Sequence, residues 1–523
     1  MTHLQLIKAM KRVEFYPNNP AEIELIETHI SYVFIAGDVV YKIKKPVCFD
    51  FLDFTSLEKR KFYCEEELRL NRRLAPETYL DVVAISRNDR GNITLGEGVE
   101  VIDYAVRMKK LPADRMLKTM LFKGLADVKV MDDVAKKIAD FHQNAQTGGH
   151  IDKMGDIENI RHNNEENFAE TINYINITIP KYQYKFITNC TEKFLAENKN
   201  LFRRRVADHK IRDCHGDLHL EHICVDDEII IFDCIEFNER FRCGDVAEDV
   251  AFLTMDIDFN GYSQYADAFI ESYIKHSGDT DLPLLLNFYR CYYAYVRGKV
   301  TSFLLDQEEL QESERRQITK NAAQYFDLAY TYATRLDKPV LILTAGLMGS
   351  GKSYQARALT ARLGAEIIRT DILRKDSFNI KPTERRFEDF GQGIYSDDIS
   401  RLIYDKAYDL AAQKIKQGKA VIIDASFKRR AERQKAMEMA RKLGVRFYIL
   451  ECICSDEITK NRLEKRMREK DNASDGRWEL FQEQKNDFDT INEVPADSHF
   501  IIDTSVEPET TRQKIIRKIK LED

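Results

Sequence analysis

Two short stretches of the sequence carry the residue types that phosphoryl transfer requires. The first, GLMGSGKS, runs from Gly346 to Ser353 and has the form G-x-x-x-x-G-K-S. Its glycines let backbone N–H groups turn toward phosphates. The second, HGDLHLEHI, is followed by FDCIEF, so carboxylates stand at Asp217 and Asp233. Such carboxylates can accept a proton from a hydroxyl and bind a divalent cation. The sequence therefore predicts two separate sites for a nucleoside triphosphate.

The context of GLMGSGKS indicates a phosphate-binding loop. The strand-like run VLILTA precedes it, and a helical pattern begins at Lys352. The amino end of a helix carries partial positive charge and suits an anion. We expect Lys352 to reach the β- and γ-phosphates and Ser353 to bind Mg²⁺. The predicted loop residues that surround the phosphates are Gly346, Gly349, Ser350 and Gly351.

Charged residues after the later strands favour a kinase over a mechanical ATPase. Asp371 follows the strand-like EIIRT, where a carboxylate can take a proton from an acceptor hydroxyl, and Arg374 comes one turn later. Asp424 ends the run AVIID, where it can bind a Mg²⁺-bound water or a substrate group. Arg462 and Arg466 share one face of a later helix and can close over a transferring phosphate.

The first part of the chain carries the residues of a second site. Asp217, His222 and Asp233 follow the order and approximate spacing of a protein-kinase catalytic loop and metal-binding aspartate. Asp217 is the predicted base, Asp233 the principal metal ligand and His222 a second metal position. The strand-like VVYKIKK supplies a lysine, and we choose Lys42 over Lys44 because Val40 would then lie over the adenine. Of three adjacent glutamates in CEEELRL, we choose Glu67 as the partner of this lysine.

The elements that position these residues form two different patterns. Short strands and one helix fill the first hundred residues, and residues 115–335 are mostly helical. After DKPV, strands alternate with helices, which predicts a doubly wound parallel sheet. We therefore predict an α+β domain over residues 1–335 and an α/β P-loop domain over residues 336–523.

The C-terminal part, about residues 338–515, resembles the small P-loop kinases that include the bacteriophage polynucleotide kinase and the zeta toxins. Its Gly-rich loop, strand-end Asp with a following Arg, and later paired arginines carry the resemblance. The resemblance implies that Asp371 is the general base, that Arg374 contacts substrate or phosphate, and that Arg462 and Arg466 belong to a lid. It does not name the acceptor.

The first part, about residues 20–335, resembles the aminoglycoside phosphotransferase and choline kinase group, which has a protein-kinase-like fold. HGDLH and GDVAEDVAF carry this resemblance, and Asp245 and Asp249 in the second stretch are expected to be structural. His215 and His219 are also expected to be structural. The group usually carries Asn where this chain has His222, and Mg²⁺ prefers oxygen to imidazole nitrogen. Either the second metal is weakened or lost, or His222 is a hydrogen-bonded loop histidine.

Composition and charge narrow the class of protein. The net charge of −7 divides unevenly, since residues 338–523 hold 36 Lys and Arg against 31 Asp and Glu, a balance of +5. With 43% hydrophobic residues, no long apolar run and no apolar leader, the sequence predicts a soluble cytoplasmic protein. Ten scattered cysteines predict reduced thiols.

The predicted function is an ATP- or GTP-dependent, Mg²⁺-using phosphotransferase with two nucleotide sites. We expect the P-loop domain to phosphorylate a hydroxyl on a nucleic-acid 5′ end or another anionic acceptor. The +5 balance and Arg429, Arg430 and Arg433 motivate that choice. Two alternatives stay open for the N-terminal domain: a binding module that regulates the P-loop kinase, and a partner that neutralises a toxin-like kinase.

Overall fold

The computed structural model describes residues 3–49, 51–307, 310–381, 384, 386–468, 475–506 and 509–521. The chain divides into two compact units, Met1–Ala329 and Tyr330–Asp523. Within the described residues, no helix is both long enough and apolar enough to cross a membrane. All ten cysteines are free thiols, and most of them are buried.

The N-terminal unit contains twelve strands and most of twelve α-helices among its described residues. The strands are β1 Ile23–Glu27, β2 Ser31–Ala36, β3 Val39–Lys44, β4 Cys48–Phe49, β5 Leu52–Asp53, β6 Tyr79–Arg87, β7 Ile93–Leu95, β8 Glu100–Lys109, β9 Ile211–Asp213, β10 Ile223–Val225, β11 Ile229–Ile231 and β12 Cys243–Asp245. The helices are α1 His3–Met10, α2 Leu57–Asn71, α3 Leu117–Phe122, α4 Val128–Asn144, α5 Ile157–Thr171, α6 Lys181–Glu197, α7 Lys199–Ala207, α8 Glu239–Arg242, α9 Val246–Phe259, α10 Ser263–Ser277, α11 Leu282–Phe303 and α12 Glu312–Thr334.

A six-stranded antiparallel sheet, ordered β1-β2-β3-β8-β6-β7, forms the first part of this unit. Side chains alternate between its faces, as they must in a strand. On β3, Tyr41 and Ile43 pack with α1, whereas Val40 packs on the side of α2. Lys42 and Lys44 share the parity of Val40 and therefore face α2. Helices α4, α9, α10 and α11 pack together in the second part. This sheet followed by a helical bundle confirms the predicted kinase-like fold.

The C-terminal unit is built on a five-stranded parallel sheet. The sheet order is β14-β15-β13-β16-β17, with strands β13 Val340–Ala345, β14 Glu366–Arg369, β15 Val421–Asp424, β16 Arg446–Ile453 and β17 His499–Asp503. The helices are α13 Lys352–Leu363, α14 Thr370–Ser377, α15 Asp397–Lys416, α16 Arg430–Leu443, α17 Asp456–Arg468, α18 Phe481–Asn486 and α19 Glu509–Leu521.

The packing of these helices confirms the predicted doubly wound arrangement. Helices α13 and α19 contact each other, as do α15 and α16, so the sheet is covered by two helix pairs. The central strand β13 is buried along its whole length. The loop from β13 to α13 and the ends of β14 and β15 therefore meet at the carboxyl edge of the sheet, where open α/β sheets bind ligands. Asp371 lies in the first turn of α14, just beyond the strand end that the sequence suggested.

Candidate active sites

The GLMGSGKS loop has a backbone that requires glycine at its ends. Gly346 has φ +131°, and a Cβ there would lie 2.3 Å from the carbonyl oxygen of Cys452. Gly351 has φ +89° and caps the amino end of α13, and a Cβ there would press on Thr504. A side chain at either position would be strained or would clash. The loop therefore keeps the compact shape that a phosphate cradle needs.

Two polar side chains of this loop, Ser350 and Lys352, can interact with a bound anion. The buried Ser350 Oγ has no hydrogen-bond partner among the described residues. Lys352 Nζ donates to the Leu347 carbonyl oxygen, 2.7 Å away, so its side chain folds over the loop. Burial lowers the pKa of Lys352, Asp424 opposes that shift, and the nearby charge of Arg466 adds to it. An anion inside the loop would satisfy these groups, so the residues present fit a nucleotide phosphate.

A cleft of about 300 Å³ brings the loop together with most of the predicted kinase residues. Asp371 is half-buried there, and burial together with the negative charge of Asp424 raises its pKa. A carboxylate with a raised pKa is a better proton acceptor than an ordinary one. The charged residues that line the cleft include Lys352, Asp371, Arg374, Asp424, Arg429 and Arg466.

Arg374 forms a wall of the cleft one helical turn after Asp371. Its guanidinium lies over the Tyr395 ring, 4.9 Å from the centroid, and donates to the Ile394 carbonyl oxygen at 2.6 Å. Its Nε is buried and has no hydrogen-bond partner among the described residues. A buried N–H of a cation without an acceptor is costly, so the site favours an incoming anion or carbonyl oxygen.

The positions predicted for a metal ion offer oxygen ligands. Asp424 is buried at the end of β15, and Thr344 Oγ1 lies 3.3 Å from its Oδ1. Arg369 Nε lies 3.5 Å from Asp424 Oδ2, so the carboxylate is charge-balanced. Ser353 lines the same cleft. Hydroxyl and carboxylate oxygens suit Mg²⁺, so this pair of residues fits that ion.

The side chains of the two arginines predicted for a lid lie in different places. Arg466 lines the cleft beside the phosphate loop. Arg462 instead donates to Thr504 Oγ1 at 2.8 Å and to the Thr504 carbonyl oxygen at 2.6 Å. Thr504 Oγ1 in turn lies 2.8 Å from the Ser350 carbonyl oxygen. Arg462 therefore braces the phosphate loop from behind, and the structure does not direct it into the cleft.

The three arginines that motivated the choice of an anionic acceptor also differ in exposure and in their contacts. Arg429 lines the cleft and pairs with Asp487 at 2.5 Å. Arg430 is largely exposed and lies 3.4 Å from Glu493. Arg433 is fully buried in an ion pair with Glu493 and donates to the Phe427 carbonyl oxygen at 2.8 Å. Arg433 is therefore a structural residue, and of these three arginines only Arg429 lines the cleft in the described part of the chain.

A buried carboxylate that sequence reasoning missed joins several parts of the cleft wall. Asp475 accepts from the Tyr395 hydroxyl at 2.6 Å and lies 3.4 Å from Lys375 Nζ, which is itself fully buried. It also accepts from the backbone N–H of Arg386 at 3.3 Å. These partners lie between 80 and 100 positions before Asp475 in sequence, so no local pattern could have identified them.

In the N-terminal unit, the predicted lysine and glutamate meet. Lys42 Nζ lies 2.9 Å from Glu67 Oε1 and 2.5 Å from Asp233 Oδ1. Of the three adjacent glutamates, Glu67 is the fully buried one, because it lies on the face of α2 that packs on the sheet. Lys42 holds the pKa of Asp233 down at about 2 although burial opposes this. The strand lysine, helix glutamate and metal-position aspartate thus form one charged group.

Lys44, the lysine that sequence reasoning set aside, belongs to the same group. Its Nζ lies 2.8 Å from Glu67 Oε2 and also pairs with Glu236. Lys44 is fully buried, so its partners must balance its charge. Glu67 therefore forms ion pairs with both lysines, one through each of its two oxygens. Only the alternation of β3, which puts both lysines on one face, could have indicated this from sequence.

The loop that carries Asp217 is held by buried partners. Asp249 accepts from the backbone N–H groups of His215 and Gly216 at 2.8 and 2.9 Å. The His215 ring contacts the Phe232 carbonyl oxygen at 3.0 Å, and burial lowers its pKa to about 4. Asp245 pairs with the buried Arg205 at 2.6 Å. These contacts support the predicted structural roles of Asp245, Asp249 and His215.

The rings of His222 and His219 lie in contact beside Asp217, tilted by 37° and with centroids 3.9 Å apart. His222 Nδ1 lies 2.9 Å from the Asp217 carbonyl oxygen, and its Nε2 lies 3.7 Å from Asp233 Oδ2. His219 Nε2 lies 3.7 Å from Asp217 Oδ2. Although burial opposes it, the contact with His219 lowers the pKa of Asp217. Asp217 is therefore ionised, as a proton acceptor must be.

Two family models match the chain in separate regions. Residues 131–284 match the "Phosphotransferase enzyme family", and residues 341–491 match an "AAA domain". Together with the two sites, these matches define an ATP-dependent kinase in which a phosphotransferase-type domain precedes a P-loop kinase domain. The resemblance inferred from HGDLH and GLMGSGKS is thereby confirmed.

The chain belongs to the same family as uncharacterized proteins of Mycobacterium bovis and Mycobacterium tuberculosis. It is 30% identical to each over 416 residues, which cover 77% of this chain and 78% of the mycobacterial proteins. Among solved structures, a choline/ethanolamine kinase family protein from Mesorhizobium loti is 11% identical and covers 62% of this chain and 98% of its own, with a TM-score of 0.37. A gluconokinase from Sinorhizobium meliloti is 20% identical. The match covers 36% of this chain and 95% of the gluconokinase, with a TM-score of 0.26.

Proposed function

We propose that the C-terminal unit transfers the γ-phosphoryl group of ATP or GTP to a hydroxyl on an anionic acceptor. The observation that carries this proposal is the placement of Asp371 and Arg374. Both line the cleft that also contains the phosphate loop, so a proton acceptor and a buried cation face the place where a γ-phosphate would lie. Such an arrangement suits an acceptor hydroxyl between Asp371 and the nucleotide.

The reaction follows from these positions. The acceptor oxygen attacks the γ-phosphorus and forms a new O–P bond, and the bond from that phosphorus to the β–γ bridging oxygen breaks to release the nucleoside diphosphate. Asp371 takes the hydroxyl proton. Lys352 and Arg466 stabilise the charge on the transferring group. Mg²⁺ held by Ser353 and Asp424 would neutralise charge on the triphosphate when bound.

The acceptor is proposed to be anionic because of the unsatisfied Arg374 Nε and the position of Arg429. Arg429 faces the cleft with its side chain 39% exposed, so an acceptor anion can compete with Asp487 for it. A nucleic-acid 5′-hydroxyl end remains one form of this acceptor. A small anionic alcohol is the other, and the burial of Arg433 removes part of the basic surface that a long polyanion would use.

A transfer assay with labelled ATP tests this proposal. The acceptors would be 5′-hydroxyl oligonucleotides, sugar acids and sugar phosphates, and the matching neutral sugars. The proposal predicts transfer to an anionic acceptor, with a KM that rises with salt, most steeply for nucleic acid because bound counterions are released. Transfer to neutral sugars with no anionic acceptor used would contradict it.

For the N-terminal unit, we propose a second nucleotide site formed by Lys42, Glu67, Asp217, His222 and Asp233. The contact of Lys42 with both Glu67 and Asp233 supports it, because a kinase needs this lysine and metal ligand at one place. Whether the site turns over or only regulates is tested with Lys352→Ala and Asp217→Asn in the full chain. A catalytic site predicts residual transfer that survives Lys352→Ala and is lost when Asp217→Asn is added to that variant, whereas a regulatory site predicts nucleotide binding without such residual transfer.

A further inference from the structure

We infer that the N-terminal nucleotide site binds a first-row transition ion such as Mn²⁺ in preference to Mg²⁺, with His222 Nε2 and Asp233 as its protein ligands. This inference rests on the proposed nucleotide site of that unit. It differs from the oxygen-ligated Mg²⁺ site proposed for Ser353 and Asp424 in the C-terminal unit.

The hydrogen bond of His222 determines which ring nitrogen can bind a metal. A carbonyl oxygen only accepts hydrogen bonds, so the 2.9 Å contact with the Asp217 carbonyl oxygen requires a proton on His222 Nδ1. In the neutral imidazole, Nε2 then carries the lone pair. A backbone carbonyl that fixes the tautomer in this way is the usual outer support of a metal-binding histidine. His222 is therefore oriented as a ligand.

Distances place Nε2 and Asp233 at a spacing that one ion can bridge. Nε2 lies 3.7 Å from Asp233 Oδ2. Two ligand atoms each about 2.1 Å from a metal are about 3.0 Å apart at a right angle and about 3.4 Å apart at a tetrahedral angle. The observed 3.7 Å separation exceeds these values by about 0.7 and about 0.3 Å, so a side-chain movement of less than about 1 Å suffices.

The two oxygens of Asp233 are divided between different partners. Lys42 Nζ contacts Oδ1 at 2.5 Å, whereas His222 faces Oδ2. Lys42 can therefore keep its contact while Oδ2 binds an ion. Asp233 itself has φ +62°, a left-handed conformation that its backbone hydrogen bond to the Tyr79 hydroxyl at 3.1 Å helps to hold. The backbone of Asp233 is thus held in place, and the Lys42 contact at Oδ1 leaves Oδ2 beside His222.

His219 is excluded as the nitrogen ligand by its own contacts. Its Nδ1 accepts from the backbone N–H of Glu221 at 3.3 Å, so the proton of the neutral ring is on Nε2, which faces Asp217 Oδ2. His219 therefore supports Asp217 and provides a matched control for His222.

The nitrogen ligand supplied by His222 determines which metal ion the site prefers. Mg²⁺ prefers oxygen ligands, whereas the affinity of first-row divalent ions for a site that contains nitrogen rises from Mn²⁺ through Fe²⁺ and Co²⁺ to Cu²⁺. An amide oxygen at position 222, as in an Asn or Gln variant, would suit Mg²⁺. Replacing that oxygen with Nε2 therefore moves selectivity away from Mg²⁺.

The test uses the full chain with Lys352→Ala, which removes nucleotide from the P-loop site, and a non-hydrolysable ATP analogue. Pulsed electron paramagnetic resonance of bound Mn²⁺ detects a coordinated ring nitrogen directly, and Mg²⁺ competition gives the selectivity. We expect a ring-nitrogen signal that His222→Asn and His222→Gln abolish and His219→Asn retains. The Mn²⁺ over Mg²⁺ preference should fall by about tenfold or more in the two His222 variants.

Two other results would contradict the metal inference or the nucleotide site on which it rests. If the analogue and Mn²⁺ bind but the nitrogen signal and the selectivity are unchanged in folded His222→Asn and His222→Gln proteins, the metal inference is wrong and the nucleotide site stands. If a fluorescent ATP analogue does not bind the Lys352→Ala protein under any metal, the proposed N-terminal nucleotide site is wrong, and the metal inference falls with it.

Discussion

Arg433 and Glu493 form an ion pair in the interior of the C-terminal unit, where their side chains are 0% and 5% exposed. Arg433 also donates to the carbonyl oxygens of Phe427, Asp489 and Thr490, so its guanidinium joins the start of α16 to the segment before β17. Its neighbour Arg430 contacts the same glutamate from the surface. The Glu493 carboxylate thus contacts a buried arginine, Arg433, and an exposed one, Arg430.

Arg433→Ala should strongly destabilise the C-terminal unit, because it leaves Glu493 buried without its main partner. Breaking a buried pair in this way costs about 3–5 kcal/mol. Arg430→Ala is the matched control, since an exposed pair contributes about 1 kcal/mol or less. Urea unfolding followed by circular dichroism measures both. Equal small effects would show that Arg433 has no structural role.

Arg429→Gln should raise the KM for the acceptor while leaving the KM for ATP nearly unchanged. Arg429 lines the cleft, and a charge-assisted contact with an acceptor anion contributes about 1.5–3 kcal/mol, or roughly tenfold or more in KM. Arg430→Gln is the control, because Arg430 does not line the cleft in the described structure. Steady-state kinetics would contradict the assignment if both variants changed the acceptor KM equally.

Transfer by the P-loop unit should decline in acid with a midpoint above the ordinary Asp value of 3.8, because burial and Asp424 raise the pKa of Asp371. The base works when deprotonated, so kcat/KM falls as pH falls through this pKa. Arg374 holds that pKa down, so Arg374→Gln should move the midpoint to higher pH as well as slow the reaction. A midpoint that stays or moves to lower pH would contradict this electrostatic coupling.

Arg462→Gln and Arg466→Gln should have different kinetic effects although the two residues lie one turn apart. Loss of the Arg462 contacts to Thr504 loosens the support of the phosphate loop, so we expect a higher KM for ATP. Loss of Arg466 removes charge from the cleft, so we expect kcat to fall by about 10²-fold. Fluorescent-nucleotide binding and single-turnover rates separate the two effects. Matching losses in both variants would contradict the division of roles.

Local sequence signals were enough for the fold and for residues whose chemistry depends on near neighbours. Gly346 and Gly351 have positive φ, as expected of a loop that turns between a buried strand and a helix. Asp424 ends β15, where the strand pattern placed it. The family matches over residues 131–284 and 341–491 agree with the two motifs.

Side-chain directions that depend on distant partners could not be predicted. Arg462 turns toward Thr504, a residue 42 positions later, and Arg433 turns toward Glu493, which is 60 positions later. The helical spacing of Arg462 and Arg466 gives a shared face and says nothing about which acceptors lie beside each residue. Likewise, the sequence did not indicate that Lys44 joins the same charged group, because its second partner, Glu236, lies 192 positions away.

The role of Asp371 as the base is tested by comparing Asp371→Asn with Lys352→Ala in the full chain, with an anionic acceptor and labelled ATP. We expect Asp371→Asn to lower transfer by about 10²- to 10⁴-fold while the P-loop site still binds nucleotide normally. Lys352→Ala should lower both nucleotide binding at that site and transfer. Undiminished transfer by folded Asp371→Asn protein would contradict the central claim that Asp371 is the base of a P-loop kinase.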